Sequence, residues 1–190
     1  QEELDAQRTV RFPKEPLFSI VVPVFNPKDE YFGEMVKSVM NQTYTKWELC
    51  IADGGKPVEK ILKDTVGNDP RVKYCGLNEN LGISENTNQG ILAAQGDYMA
   101  LLDHDDLLTP DALYEMAAAV ENAGKNAMPV LLYSDEDKCD GEGTKFYEPH
   151  FKQDYNEDLL LTNNYFCHFT AVRMDIAKGK LLRKEYDGAQ

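Results

Sequence analysis

The stretch Asp97-Tyr-Met-Ala-Leu-Leu-Asp-His-Asp-Asp106 decides the fold of this chain. Its apolar run at residues 98–102 predicts a buried strand that ends abruptly at Asp103. Asp105 and Asp106 follow, so three carboxylates lie within four positions at the end of one strand. Like charges this close together are unfavourable unless a positive group lies among them, and a divalent cation with oxygen ligands is the simplest such group. The stretch therefore predicts a strand that ends either at a metal site or in an acidic turn in which Asp106 caps a helix.

The composition fits one folded domain with an acidic surface. The 190 residues are enough for a single core, and the hydrophobic fraction of 42% is that of a globular protein. The formal net charge of −13 argues against a nucleic acid as partner, because such binding depends on Lys and Arg side chains that neutralise phosphates. An acidic protein can still bind a nucleotide when a metal screens the phosphates.

The sequence carries no signal for a membrane or an oxidising compartment. No apolar run approaches the roughly 18 residues that span a bilayer, and the opening Gln-Glu-Glu-Leu-Asp lacks the apolar core of a signal peptide. The cysteines lie far apart, without metal-ligand spacing: Cys50, Cys75, Cys139 and Cys167. We therefore expect reduced thiols and a cytoplasmic protein.

Predicted strands and helices alternate along most of the chain. After a lead-in at residues 1–16, which we expect to be mobile or partly helical, strands are predicted at residues 18–24, 47–52, 72–75, 98–102, 130–133 and 166–172. Helices are predicted at residues 29–42, around 58–62, at 84–94 with Ser84 as the N-cap, and at 110–122. A hairpin or surface loop is predicted at residues 138–145. This order predicts one α/β domain from residue 17 to 190, with a mostly parallel mixed sheet flanked by helices.

Polar side chains follow three of the predicted strands, at the sheet edge where ligands bind in open α/β folds. They are Asn26, Asp53 and Asp103. Asp53-Gly54-Gly55 is either a simple turn or a place where the carboxylate meets a base or ribose and the glycines permit close approach. Asn80-Leu81-Gly82 and Asn88-Gln89-Gly90 are likewise either caps and turns or a wall beside a nucleotide.

Two features of the second half leave alternatives open. The run Ser134-Asp-Glu-Asp137 follows a predicted strand, so it either contributes a carboxylate to an acceptor site or forms a solvated loop. His168 lies inside a predicted strand. It is either a half-buried histidine with local partners or a group that completes the metal shell beside Asp105 or contacts a sugar.

Motifs of several other enzyme classes are missing from the sequence. It contains no G-x-x-x-x-G-K-[ST], no H-E-x-x-H, and no G-x-G-x-x-G after the first predicted strand. A P-loop nucleotidase, a zinc protease and a dinucleotide oxidoreductase therefore have no support.

A series of motifs in order resembles the family 2 glycosyltransferases, which have the GT-A fold. The series is Ser19-Ile-Val-Val-Pro-Val-Phe-Asn26, Asn41-Gln-Thr-Tyr44, Ile51-Ala-Asp-Gly-Gly55, Asn80-Leu-Gly-Ile-Ser84, Asn88-Gln-Gly90 and Leu101-Leu-Asp-His-Asp-Asp106. Tyr133-Ser-Asp-Glu-Asp-Lys138 and Asn164-Tyr-Phe-Cys-His-Phe-Thr170 are similar to a bacterial surface-polysaccharide branch of that family. The resemblance covers about residues 17–190, and its specificity comes from the order of the motifs.

This resemblance implies an inverting transfer of a sugar from a nucleotide-sugar donor, with UDP ahead of dTDP as its nucleotide, to a glycan or lipid-linked acceptor. It implies that the segment Pro23, Val24, Phe25 and Asn26 holds the nucleoside together with Asp53, and that Asp103 contacts the ribose. The further predicted nucleotide-sugar ligands, from the alternatives given above, are Asn80, Gly82 and Asn88. It also implies that Asp103 and Asp105 contact Mn²⁺ or Mg²⁺, with Asp105 as the metal ligand. His168 is the further candidate ligand from the alternatives given above. The chain departs from the family at Asn86-Thr87-Asn88, where many relatives have Ala-Arg-Asn and thus an arginine near the nucleotide.

The resemblance further implies where the general base lies. Direct inversion needs a single base, and in the family it comes from an acidic motif shortly after a stretch like Leu182–Gln190. We therefore expect the base just beyond Gln190, in a domain that the given chain cuts short, with Asp135, Glu136 and Asp137 as weak candidates. A lipid-linked acceptor would bring the domain to the inner face of the membrane as a peripheral protein, while the oligomeric state stays open.

Two other interpretations compete with a transferase. A sugar-nucleotide nucleotidylyltransferase shares a nucleotide-binding α/β core, but it needs a basic Gly-rich loop after the first strand, and Phe25-Asn-Pro-Lys28 is a poor match. The other is a non-catalytic nucleotide-binding domain or scaffold. Binding of nucleotides with and without Mn²⁺ separates the three.

Overall fold

A computed structural model describes residues 1–124 and 127–187, and its centre is a mixed β-sheet. The strands are β1 (Phe18–Val24), β2 (Trp47–Asp53), β3 (Val72–Gly76), β4 (Tyr98–Leu101), β5 (Leu131–Tyr133), β6 (Glu136–Cys139), β7 (Phe146–His150) and β8 (Thr170–Arg173). Six of them form one sheet in the order β3-β2-β1-β4-β8-β5, and β6 pairs with β7 in a separate hairpin. That hairpin confirms the prediction for residues 138–145.

The predicted sheet type is confirmed. β1 pairs in parallel with β2 and β4, and β2 pairs in parallel with β3, whereas β8 runs antiparallel to both β4 and β5. The four parallel strands therefore direct their carboxyl ends to the same edge. β8 is shorter than predicted and begins at Thr170, after His168. The preceding carbonyls of Phe166 and Cys167 accept hydrogen bonds from the Thr170 hydroxyl instead of joining the sheet.

Helices cover both faces of the sheet. They are α1 (Glu2–Gln7), α2 (Asp29–Met40), α3 (Glu59–Val66), α4 (Ile83–Ala93), α5 (Ala112–Asn122), α6 (Glu157–Thr162) and α7 (Met174–Gly179), and a 3₁₀ turn follows at Lys184–Tyr186. No helix among residues 1–124 and 127–187 is both long and apolar enough to cross a bilayer.

Alternation along the strands divides the core between the two faces. Phe18, Ile20 and Val22 of β1 belong to a large cluster with the apolar side chains of α2, α3 and α5. Val21 points the other way, into a smaller cluster with Ile91 of α4 and with Met174 and Ala177 of α7. Fully burying one such side chain contributes about 1.5–3 kcal/mol, so both layers stabilise the sheet.

Gly90 lets α4 approach the sheet. A Cβ at this position would lie 2.5 Å from Cγ1 of Val21, which no packed structure tolerates. Asn88-Gln89-Gly90 therefore lies inside a helix, and its interpretation as a turn was wrong.

The start of α4 also differs from the prediction. Gly82, with a φ of +94°, occupies the N-cap position, and Ser84 lies in the first helical turn. The Ser84 amide donates to Asp187 Oδ1 over 3.1 Å. A carboxylate at this helix end is favourable because the free N–H groups carry partial positive charge.

The lead-in contains α1 and packs against the domain. Thr43 Oγ1 donates to Oε1 of the buried Gln7 over 2.9 Å. The Phe12 ring lies 5.2 Å from the Tyr114 ring and 6.1 Å from the Tyr44 ring, measured between centroids. Aromatic contacts at these separations are attractive, so they fix the lead-in along α5.

Candidate active site

The carboxyl ends of β1 and β4 open into one cleft of about 270 Å³. Its lining comes from the end of β1, the approach to and first turns of α4, and the loop after β4: Pro23, Val24, Phe25, Asn80, Ile83, Asn86, Asp103, His104 and Asp105. Six of these residues were singled out from the sequence, and the structure brings them to one place. The parallel strands explain this, because their carboxyl ends share an edge.

Asn26 forms the junction between two loops beside the cleft. It has a φ of +48°, in the left-handed region that Asn tolerates better than most residues. Its Oδ1 accepts the Lys56 amide over 3.0 Å. A Cβ on Gly55 would lie 2.6 Å from the Asn26 backbone nitrogen, so only glycine permits this approach.

Asp53 is buried and is not among the residues that line the cleft. Its carboxylate accepts three hydrogen bonds, from the Gly55 amide at 2.9 Å, the Val58 amide at 3.1 Å and the Tyr74 hydroxyl at 3.0 Å. Burial, together with the Asp53 charge, raises the pKa of Tyr74 to about 12, so the phenol stays protonated and keeps donating. In this structure Asp53 therefore fixes the loop that follows β2.

Asn86 lines the cleft and was not predicted from the sequence as a site residue. It is only 3% exposed, its Nδ2 donates to Asn80 Oδ1 over 2.9 Å, and its Oδ1 accepts the Leu81 amide over 3.1 Å. A Cβ on Gly54 would lie 2.8 Å from Asn86 Nδ2. Asn86 thus connects the loop after β2 with the loop before α4. The sequence feature that could have pointed to Asn86 is that an amide side chain replaces the Ala of the Ala-Arg-Asn pattern.

Two further predicted nucleotide ligands, like Asn26 and Asp53, lie outside the cleft lining. Asn88 is 2% exposed and forms hydrogen bonds with the Leu182 backbone. Gly82 caps α4 close to the Asp187 carboxylate. Asn88 therefore holds the segment at residues 182–187 against α4, and the missing side chain of Gly82 leaves room for the Asp187 carboxylate.

Asp103, Asp106 and His168 form a cluster of metal-ligand type. One ligand atom from each lies within 4.8 Å of the others. His168 Nε2 is 3.7 Å from Asp103 Oδ2, and His168 Nδ1 is 3.7 Å from Asp106 Oδ2. Asp105 is not part of this cluster: it lines the cleft with Asp103 and lies 3.4 Å from Nδ1 of His104. In this structure Asp106, and not the predicted Asp105, lies together with Asp103 and His168.

The cluster has the donor set of a divalent cation site. Carboxylate oxygens suit Mg²⁺ and Mn²⁺, and imidazole adds a ligand that transition metals accept. His168 Nδ1 is buried and forms no hydrogen bond within the described ranges. Burial raises the pKa of Asp106, the charges of Asp103 and Asp105 raise it further, and His168 opposes them. A bound cation would relieve this carboxylate repulsion, so the residues fit one.

The acidic run after β5 is occupied with structural contacts. Glu136 Oε2 accepts the His168 amide over 3.2 Å, and its Oε1 lies 3.1 Å from His150 Nδ1. Although burial opposes its ionisation, contacts with His150 and Lys152 outweigh that effect and lower the pKa of Glu136. Asp135 Oδ1 accepts the Lys152 amide over 2.7 Å, and Asp137 is exposed.

Comparison with solved structures defines the class of fold. The chain is similar to residues 1–349 of TarS from S. aureus, solved in complex with UDP, with a TM-score of 0.72 and 20% identity. The match covers 91% of this chain and 52% of that one. The fold is therefore the GT-A fold, as predicted.

The sequence comparison gives the family. The profile of glycosyl transferase family 2 matches residues 19–180, and the chain belongs to that family. An uncharacterised protein of Sinorhizobium fredii is 40% identical over 184 residues, covering 95% of this chain. The O-antigen biosynthesis protein RfbC of Myxococcus xanthus is 34% identical over 190 residues, covering 97%. The chain spans only 20% and 15% of the lengths of these two relatives.

Proposed function

We propose that this domain transfers a sugar from a UDP-sugar to a hydroxyl group of an acceptor, with inversion at the anomeric carbon. The observation that carries the proposal is the cleft at the ends of β1 and β4, which shares Asp103 with the Asp103/Asp106/His168 cluster. A nucleoside diphosphate needs a shaped pocket for its base and ribose and positive charge for its phosphates. The cleft supplies the first, and a cation held by the cluster would supply the second.

The nucleoside lies between the β1 end and the start of α4 in this proposal. Pro23, Val24 and Phe25 provide one wall, and Asn80 with Asn86 provides the other. Asn26, Asp53 and Gly82 act by fixing the loops that shape these walls. The choice of UDP is supported by the structural relative TarS, which was solved with UDP bound.

Mn²⁺ or Mg²⁺ would be held by Asp103, Asp106 and His168, with Asp105 facing the donor from the cleft side. When bound, the ion neutralises charge that develops on the diphosphate as the bond to the sugar breaks. Asp103 belongs to both the cleft and the cluster, which supports a role for it between the ribose and the diphosphate. Asp105 lies on the same loop, and its carboxylate is more exposed than that of Asp106.

The general base follows Gln190 in our proposal and lies outside the described residues. Support comes from the segment at residues 182–187, which is bound along α4. The first turn of α4 contributes to the cleft, so this segment approaches the end of the helix that borders the cleft. The weak candidates are less suitable, because Asp135 and Glu136 are engaged with Lys152 and with the His168 amide. One base is enough for direct inversion, since no covalent intermediate has to be resolved.

The acceptor is a glycan or a lipid-linked glycan of a bacterial surface polysaccharide in this proposal. Support comes from the O-antigen biosynthesis protein of Myxococcus xanthus, which matches nearly the whole chain. A lipid-linked acceptor would place the domain in the cytoplasm at the inner face of the membrane.

Calorimetric titration with UDP, GDP, dTDP and UTP, each with and without Mn²⁺, tests the proposal. We expect UDP to bind most tightly of the four nucleotides. We also expect UDP to bind more tightly with Mn²⁺ than without it. Tighter binding of the triphosphate would favour a nucleotidylyltransferase, and failure of every nucleotide to bind would leave a scaffold domain.

A series of single Asp-to-Asn variants identifies the carboxylates that hold the cation. Asp103→Asn should abolish the Mn²⁺ dependence, because Asp103 belongs to both the cleft and the cluster. Asp106→Asn should weaken it more than Asp105→Asn, because Asp106 lies within reach of His168 and Asp105 does not. A larger loss in Asp105→Asn would assign the cation to the Asp103 and Asp105 pair instead.

A further inference from the structure

Lys152 is a buried lysine that contacts the backbone of His168, a member of the Asp103/Asp106/His168 cluster. Its side chain is 0% exposed, and its ammonium group donates to the Phe166 carbonyl over 3.1 Å and to the His168 carbonyl. It also lies 3.5 Å from Glu136 Oε2. Burying an unpaired ammonium costs several kcal/mol, so a lysine remains here only because oxygen atoms surround it.

Glu136 bonds the other backbone polar group of His168. It accepts the His168 N–H, while Lys152 bonds the His168 C=O, so the backbone of His168 is fixed on both sides by one ion pair. The Glu136 carboxylate is partly exposed, and His150 occupies its second oxygen. The position of Lys152 is fixed in turn by Asp135, which accepts its amide.

Regular secondary structure does not fix this stretch. Residues 163–169 lie between α6 and β8 and belong to neither. Besides the ion pair, the Thr170 hydroxyl bonds the carbonyls of Phe166 and Cys167, and the Ser134 hydroxyl accepts the amide of Phe169. The Thr170 and Ser134 contacts act on the two peptide groups that flank His168, through the Cys167 C=O and the Phe169 N–H. Within the described ranges, the hydrogen-bond partners of the His168 N–H and C=O themselves are Glu136 and Lys152.

We propose that Lys152 and Glu136 are positioning residues that hold His168 toward Asp103 and Asp106 and thereby set the affinity of the site for its cation. The inference rests on the proposed function, because it takes these three residues as the ligands. Groups behind metal ligands fix ligand orientation, and their loss commonly lowers metal affinity 10- to 100-fold. Here the anchored element is the backbone of the ligand residue itself.

Three substitutions and a control test the inference. Lys152→Met keeps most of the length of the side chain and removes its charge and donors. Glu136→Ala removes the acceptor of the His168 amide, whereas Glu136→Gln keeps an oxygen there. Lys138→Met is the matched control, because Lys138 is an exposed lysine of the neighbouring hairpin, paired with the exposed Glu148.

Mn²⁺ affinity is measured from the electron paramagnetic resonance signal of free Mn²⁺ in the presence of UDP. Lys152→Met and Glu136→Ala should weaken Mn²⁺ binding roughly tenfold, Glu136→Gln should recover part of the loss, and Lys138→Met should equal the wild type. UDP affinity measured in EDTA should be unchanged in all four variants. This separation of metal from nucleotide affinity would not follow from a general loss of structure.

Pulsed resonance gives a second readout, the ¹⁴N coupling of an imidazole to Mn²⁺. It should be present in the wild type, absent in His168→Ala and reduced in Glu136→Ala. If Lys152→Met does not fold, the comparison of Glu136→Ala with Glu136→Gln decides. Wild-type Mn²⁺ affinity in Glu136→Ala overturns the inference, whereas a wild-type protein that binds UDP but no Mn²⁺ overturns the proposed cation site itself.

Discussion

Asn88 and Leu182 pair through two hydrogen bonds of 2.9 Å: Asn88 Nδ2 donates to the Leu182 carbonyl, and the Leu182 amide donates to Asn88 Oδ1. Both polar atoms of a buried side chain are thus used for the backbone of one distant residue. A buried amide whose partners are removed costs about 1–3 kcal/mol, so this contact strongly favours one position of the segment at residues 182–187.

Asn88→Ala should release this segment without weakening nucleotide binding. The substitution removes both bonds to Leu182, so amide hydrogen exchange at residues 182–187 should become faster while UDP affinity stays within about twofold, because the side chain is not in the cleft. Calorimetry and exchange mass spectrometry measure the two effects.

Asn86→Ala is the matched variant two positions earlier on the same helix. Its amide borders the cleft and holds Asn80, and a net hydrogen bond contributes about 1 kcal/mol, so UDP affinity should fall roughly fivefold. A loss of UDP affinity in Asn88→Ala equal to that in Asn86→Ala would mean that Asn88 contacts the nucleotide after all.

Gly55→Ala should damage both stability and UDP binding. The new methyl group would lie 2.6 Å from the Asn26 backbone nitrogen, and backbone cannot yield as a flexible side chain does. Relieving such an overlap costs about 1–3 kcal/mol, and it displaces the loop beside the cleft. Urea denaturation and UDP titration measure the two losses.

Gly33→Ala is the control for Gly55→Ala. Gly33 lies within α2, and nothing lies within 4 Å of a Cβ built on it. Alanine should therefore stabilise the helix by about 0.5–1 kcal/mol and leave UDP affinity unchanged. Equal stability of the two variants would contradict the packing of Gly55 against Asn26.

Glu48 should make the stability of the protein depend on pH. It is buried at the start of β2, and burial raises its pKa, but hydrogen bonds from Lys73, the Gln95 amide and Ser19 outweigh burial and bring the pKa below its ordinary value of 4.5. The folded state therefore binds the proton less readily than the unfolded state. The contribution is complete above the unfolded-state pKa and is lost as the pH falls through the folded-state pKa.

Glu48→Gln measures this contribution. At pH 7 the variant should lose about 2 kcal/mol of unfolding free energy, because a charged hydrogen-bond acceptor is removed. The difference from the wild type should shrink at pH 4. Glu34→Gln removes an exposed partner of Lys37 and should change stability by less than about 0.5 kcal/mol. A Glu48→Gln loss that is the same at both pH values would refute the ionic origin.

Cys50 should be unreactive in the folded protein. Burial raises the pKa of its thiol to about 12, and the neighbouring Glu48 adds to that effect. The thiolate is the nucleophile, so an aromatic disulfide reagent at pH 8 should modify the partly exposed Cys75 before Cys50, which should react only as fast as the chain unfolds. Mass mapping of the modified peptides measures the order, and simultaneous modification would contradict the burial of Cys50.

The central strands could be predicted from the sequence because they are apolar on both faces. β1 is observed at Phe18–Val24 as predicted, and β2 extends the prediction by the single residue Asp53. The boundary of α4 could not be predicted in the same way. Serine is a residue type that is preferred at the N-cap, so Ser84 was predicted there. The capping carboxylate comes instead from Asp187, 103 positions away in the chain. The propensities of neighbouring residues cannot predict a contact between residues so far apart in the chain.

The sequence by itself determined the sheet edge at which the polar residues gather, because parallel strands end together and Asp103 follows one of them. Only the tertiary structure decided which carboxylates gather around His168. The spacing of Asp103 and Asp105 suggested that pair, but the turn after β4 directs Asp105 to the cleft and Asp106 toward His168. Side-chain direction in an irregular turn depends on the backbone around it and on the element packed against it. Here that element is a stretch more than sixty residues away, fixed by Lys152 and Glu136.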